Sequence, residues 1–86
     1  MRVLLVPNTS NPVAVAAACE LATWLSAGGF EPVLSSVDAE RSGLDGFGVP
    51  SSEIGQPVLA VALGGDGTIL KAVHALGDAA TPVLGV

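Results

Sequence analysis

The sequence predicts an α/β fold built on an open, all-parallel, Rossmann-like sheet, and three observations carry that prediction. Short apolar runs alternate with helical patterns along the chain, as expected of parallel strands joined by crossover helices. The runs are continuously apolar rather than alternating, as strands buried on both faces require. The chain is half apolar and only 13% charged, without a low-complexity tract, which sets it among folded sequences. Its 86 residues suffice for one small domain.

The elements follow in order. Arg2 to Val6 is a first strand, stopped by Pro7-Asn8. Asn11-Pro12 starts a helix, with Asn as N-cap and Pro at the first helical position. Val13, Ala17, Leu21, Trp24 and Leu25 recur at helical spacing and are expected to form its inner face. Cys19 reads as a small core residue and Trp24 as core or domain-interface packing. Gly28-Gly29 ends the helix, and Pro32-Val33-Leu34 forms the middle of a second strand. From Ser35 to Gln56 the pattern weakens into a surface excursion, with a short helical turn over Val37 to Arg41 and loop from Gly43 to Ser52. Val58 to Leu63 is a third strand, Thr68 to Leu76 a second main helix, and Val83 to Val86 the start of a fourth strand. A sheet ending there has an uncovered edge, so the domain is expected to be incomplete and to need further polypeptide to close its core.

Charge and cysteine content narrow the function. The net charge is −5, and Arg2, Arg41 and Lys71 are the only formal cations. Nucleic-acid binding needs a basic stripe to neutralise phosphates, and an anionic membrane surface makes a similar demand, so neither partner is expected. One cysteine permits no intrachain disulfide and no Cys-rich zinc site. The spacing of Asp38, Glu40 and Asp45 matches no metal-binding loop, so these carboxylates read as a solvated surface. The absence of a signal-peptide core and of an apolar run near ~20 residues makes the cytoplasm the expected location.

The most informative residues are Gly64-Gly65-Asp66-Gly67-Thr68, at the turn from the third strand into the second main helix. Glycines there accept positive φ and let a ligand approach the backbone. The helix that follows points free N–H groups and a positive dipole end at whatever fills the gap, which suits a phosphate. A carboxylate beside an anion implies a metal or proton transfer from a hydroxyl, so the turn reads as a phosphoryl-transfer site. The alternative is that Asp66 merely caps the helix and the glycines make a tight turn. With Thr68 as N-cap, Lys71 stands at N3 and opposes the dipole by about 0.3–1 kcal/mol, a sign that bound phosphate reverses. With Asp66 as the cap that argument fades, and Lys71 is a surface lysine. Asn8-Thr9-Ser10 reads as a polar turn at the same sheet edge, with phosphate donation as the alternative, and His74 as a surface or half-buried packing residue.

Two familiar phosphate motifs are absent. A Walker A loop needs Gly before Lys, where Leu70 stands, and a dinucleotide fingerprint started at Gly65 needs Gly at that same position. Gly-Gly-Asp-Gly-Thr after an apolar strand is instead the signature shared by NAD kinases, by diacylglycerol and sphingosine-type lipid kinases and, with Ser for Thr, by phosphofructokinases. Leu63 to Ala72, followed by Pro82-Val83-Leu84-Gly85-Val86, resembles the NAD kinases. Lipid kinases typically carry Asn-Glu soon after the Thr, where this chain has Leu70-Lys71. The resemblance is loose over the whole chain and close from Leu63 to Val86.

The resemblance implies an N-terminal α/β nucleotide-binding domain over residues 1–86, of the NAD kinase and diacylglycerol kinase type. In that family an Asn-x-Gly-x-x-Gly-Phe-Leu segment follows this last strand. A β-rich C-terminal domain then builds much of the NAD site. Neither lies within these residues, so the chain is expected to be inactive alone. Asp66 would accept the proton of the adenosine 2′-hydroxyl of NAD. Gly67 would admit the ribose or phosphate, and Gly64, Gly65, Thr68 and Lys71 would complete the nucleotide-binding wall. ATP would be the phosphoryl donor. Because one lysine cannot neutralise a triphosphate, a divalent cation, Mg²⁺ by preference, is implied. Family members tend to be homo-oligomers. The rival readings are a lipid kinase fragment and a non-catalytic truncated product.

Overall fold

The computed structural model describes residues 1–77 and 79–86, and for Asp66 the backbone alone. Strands β1 (Arg2–Pro7), β2 (Glu31–Ser35), β3 (Gly48–Val49), β4 (Leu59–Leu63) and β5 (Val83–Gly85) form one sheet in the order β3-β2-β1-β4-β5. Every pairing is parallel, as the continuously apolar runs predict. The first three strands step outward one way and the last two the other, so the order reverses between β1 and β4. Their register runs from Val3 opposite Leu59 to Pro7 opposite Leu63, which brings their carboxyl ends level. The Asn8 N–H donates to the Leu63 carbonyl at 2.7 Å and locks the two exits together.

Strand alternation sends successive side chains to opposite faces. Val3, Leu5, Leu34, Val61 and Leu63 pack under α1 (Pro12–Ala27) and Ala39 of α2 (Ser36–Ser42). Leu4, Val6, Val33, Ala60 and Ala62 pack under Ala72 and Leu76 of α3 (Asp66–Leu76), together with Ile54. The sheet is thus covered on both faces. Leu4, Leu5 and Leu34 lie fully inside it, and each such burial contributes about 1.5–3 kcal/mol before chain entropy is counted.

α1 begins as expected: Asn11 Oδ1 accepts the Val13 N–H at 3.0 Å and Pro12 follows as the first helical residue. Its inner face differs from the expected one. The buried positions are Ala14, Ala18, Ala22 and Leu25, whereas Val13 is 76% and Trp24 69% exposed. With Glu20 its only charged residue, the helix is apolar nearly all round, and periodicity alone cannot choose a face. Packing chooses it: a row of alanines lets the helix axis approach the sheet, and the bulkier residues turn outward. Cys19 is partly buried, with Sγ 3.5 Å from the Ser42 carbonyl at the α1–α2 seam rather than in the core.

The stretch from Ser35 to Gln56 is more regular than its composition suggests. α2 is capped at Ser35, whose Oγ accepts the Asp38 N–H, and stopped by Gly43 in the left-handed region at φ 70°. β3 then extends the sheet by two residues, where the sequence predicts loop. Ile54, between a 3₁₀ turn (Ser51–Glu53) and β4, fills the face opposite α1 and α2. Glu40 and Asp45 are exposed as expected, but Asp38 is 3% exposed. Its burial corrects the solvated reading, and the cause is an ion pair described below. The sheet ends at β5, where Leu84 and Val86 are exposed. Among the described residues no helix is long and apolar enough to cross a membrane.

Candidate functional site

A cleft of about 360 Å³ opens at the carboxyl edge of the sheet, where the strand order reverses. Open α/β sheets bind ligands at this point because neighbouring connections leave on opposite faces and part the loops. One wall is the loop after β1, formed by Asn8, Thr9 and Ser10; the other is Gly64, Gly65, Gly67 and Thr68, with Lys71 beside them. The two loops, fifty-odd residues apart in sequence, meet only because β1 and β4 are paired. Asn8 Oδ1 accepts the Ser10 N–H at 3.1 Å, making the expected polar turn, and Asn8, Thr9 and Ser10 line the cleft.

The glycines of the turn serve different ends. Gly64 has φ 117°, and a Cβ there would stand 2.6 Å from Asn8 Cβ and 3.2 Å from Ala14 Cβ. It is the point where the β4 exit presses against the β1 exit and the start of α1. Gly65 has φ 121° and ψ −178°, a region essentially reserved for glycine, but faces open space. Gly67 is helical with no positive φ, and a Cβ on it would meet nothing within 4 Å. Neither backbone conformation nor packing therefore requires glycine at 67.

The start of α3 differs from those of α1 and α2. Those helices carry side-chain caps, whereas α3 begins after Gly65 with none. The Thr68 side chain does not cap; it is buried, and its Oγ1 donates to the Gly65 carbonyl, which also accepts the Thr68 N–H at 3.1 Å. A glycine-capped helix start facing a cleft is a ready anion site, since backbone donors and the dipole point into it.

Lys71 also needs correction. With Gly65 as the N-cap it lies in the second turn, not at N3, so its opposition to the dipole lapses. Its ammonium instead donates to Asp38 Oδ1 at 2.6 Å while its side chain stays 48% exposed at the cleft. His74 is exposed on the same helix. The structure thus brings Gly64, Gly65, Gly67, Thr68 and Lys71 to one cleft. The carboxylate of Asp66 lies outside the described residues, although its backbone opens α3. Sequence reasoning missed Asp38, for which no local signal exists, because its partner is 33 positions away.

Among the described residues no three His, Cys, Asp or Glu side chains converge on one point. The cleft offers amide and hydroxyl oxygens instead. Hard donors of this kind suit magnesium, which keeps several waters and is held largely by substrate phosphates. The oxygen donors of Asn8, Thr9 and Ser10 fit such a cation.

Residues 49–86 match the model of the ATP-NAD kinase N-terminal domain. The whole chain is similar to curated proteins named NAD kinase. That of Caldanaerobacter subterraneus is 33% identical over 86 residues, covering 99% of this chain. Those of Burkholderia lata and Chlorobium limicola are each 37% identical, covering 93% and 100% of it. The chain is thus similar to the N-terminal part of NAD kinases. It spans between 26% and 30% of the length of these three NAD kinases. The family match includes β4, the glycine turn, α3 and β5, so it contains one whole wall of the cleft. No solved structure matches the chain.

Proposed function

We propose that the protein transfers the γ-phosphoryl group of ATP to the adenosine 2′-hydroxyl of NAD, giving NADP and ADP. The observation that carries this reading is the cleft itself: the turn of the NAD kinase match forms its wall, at the sheet's switch point, beside a helix start that has no side-chain cap. In the reaction a bond forms between the 2′-oxygen and the γ-phosphorus, and the bond from that phosphorus to the bridging oxygen of ADP breaks. Asp66 takes the hydroxyl proton. The start of α3 and Lys71 attract phosphate, Gly65 and Gly67 let it reach the backbone, and Gly64 and Thr68 hold the turn's shape. Asn8, Thr9 and Ser10 would offer oxygen to an accompanying Mg²⁺, which would neutralise triphosphate charge when bound. The reading includes a cytoplasmic homo-oligomer acting on soluble nucleotides, with neither nucleic acid nor membrane as partner.

The direct test offers the intact protein Mg·ATP with NAD and, in parallel, with diacylglycerol. NADP is the expected product. Phosphorylation of the lipid with no NADP formed would transfer the chain to the lipid kinase reading.

Gly67→Ala separates ligand access from folding. Alanine is the better helix former by about 0.5–1 kcal/mol, and nothing obstructs its Cβ. The variant is therefore expected to melt at or slightly above the parent's temperature while its KM for nucleotide rises about tenfold or more, a loss comparable with 1.4 kcal/mol. Unchanged kinetics would mean that no ligand closes on residue 67.

A further inference from the structure

Lys71 does not stand free at the cleft wall. Its ammonium is held by Asp38, a carboxylate almost wholly removed from solvent. The pair joins elements on opposite faces of the sheet: α2 packs with α1 through Ala39, and α3 packs on the other side through Ala72 and Leu76. Because α2 and α3 each leave the carboxyl end of a strand, the two side chains meet over the edge where the cleft opens.

The chemistry of both groups sets what the pair can do. A buried carboxylate is costly unless compensated, and Lys71 is its ion-pair partner. A lysine side chain is long and rich in rotamers, so a free one must be ordered before it can grip a ligand. Here the ordering is already done. An ammonium has three donors; one goes to Asp38, and the half-exposed side chain leaves others for the cleft. Moving Lys71 wholly onto a ligand would strand Asp38 unpaired, so the ion pair persists when an anion binds.

We propose that Asp38 is a positioning residue for nucleotide phosphate: it pins the Lys71 ammonium at the cleft, where phosphate oxygens meet a cation already in place. This rests on the nucleotide reading of the cleft. Asp38 acts through Lys71 and touches no substrate.

The experiment compares Asp38→Asn, Lys71→Met and the double variant in the intact protein, by NADP kinetics and by calorimetric binding of Mg·ATP and of NAD. Asp38→Asn is expected to raise KM for one nucleotide by roughly 3–10-fold, the scale of losing a pre-ordered contact, with a smaller change in kcat. The double variant should be no weaker than Lys71→Met alone, since the first change acts only through the second residue. A lower melting temperature with KM and binding unchanged would make Asp38 purely structural and overturn the proposal, as would full additivity. In the unmutated protein, the Asp38 carboxylate carbon and the Lys71 Cε resonances should both move on adding Mg·ATP or NAD; if neither moves, the idea fails whatever the variants do. Absence of NADP formation by the parent would defeat the proposed reaction alone, because calorimetry and these resonances still decide the role of Asp38.

Discussion

Replacing Asp66 with Asn in the intact protein is expected to lower kcat for NADP formation by roughly 10²–10⁴-fold, the usual contribution of a positioned general base. Asn has nearly the same shape and can still accept a hydrogen bond from the 2′-hydroxyl, but it cannot take the proton. Stability should change little. Asp66 is the first residue of α3, where its charge favours the helix dipole by about 0.3–1 kcal/mol, so only a few degrees of melting temperature are at stake. The size of the kinetic loss carries further information. A loose phosphoryl-transfer transition state draws little on proton removal. A loss nearer tenfold would therefore assign Asp66 mainly to aligning the hydroxyl. Full activity in the variant would leave Asp66 as a helix-start residue and remove it from the chemistry.

The parts of the molecule readable in the sequence are those set by local rules. Four of the five strands announce themselves as apolar runs, and α1 by its Asn-Pro start. The glycine turn marks the candidate site in the sequence because three glycines gather around one carboxylate at a strand-to-helix turn. The position of the cleft follows in turn from parallel topology, since the loops after β1 and β4 must leave the same edge.

What stayed hidden depends on tertiary context. β3 has two residues and no pattern of its own; it forms because β2 offers an open edge to Gly48 and Val49. A Cβ at Gly48 would lie 2.9 Å from Ala39 Cβ, so even its glycine reflects the packing of α2 against it. The inner face of α1 is chosen by how closely helix and sheet can approach, which a nearly all-apolar helix does not reveal. Asp38 looks like any polar residue of a surface helix until α3 places a lysine over it. The same rule explains the shift at Lys71: the helix starts at Asp66 and not after Thr68, because Thr68 turns its hydroxyl inward to the Gly65 carbonyl instead of capping.

Gly64→Ala is expected to cost about 2–6 kcal/mol, the largest loss of stability among the turn variants. Two effects add. A φ of 117° is strained for any residue with a Cβ, at about 1–3 kcal/mol. The new methyl would also press on Asn8 Cβ and Ala14 Cβ, and overpacking of this kind costs about 1–3 kcal/mol more. Against a total of about 5–15 kcal/mol for a native domain, that can remove much of the folded population. Gly65→Ala is the internal control. Its φ of 121° carries similar strain, but its Cβ would meet nothing within 4 Å, so only the first effect operates. Denaturant unfolding of both variants therefore isolates the steric contribution as the difference between them. Equal losses would show that the β1 and β4 exits yield freely to each other. A clear excess for Gly64 means that this one contact sets the spacing of the two loops, and the shape of the cleft then depends on a single missing methyl.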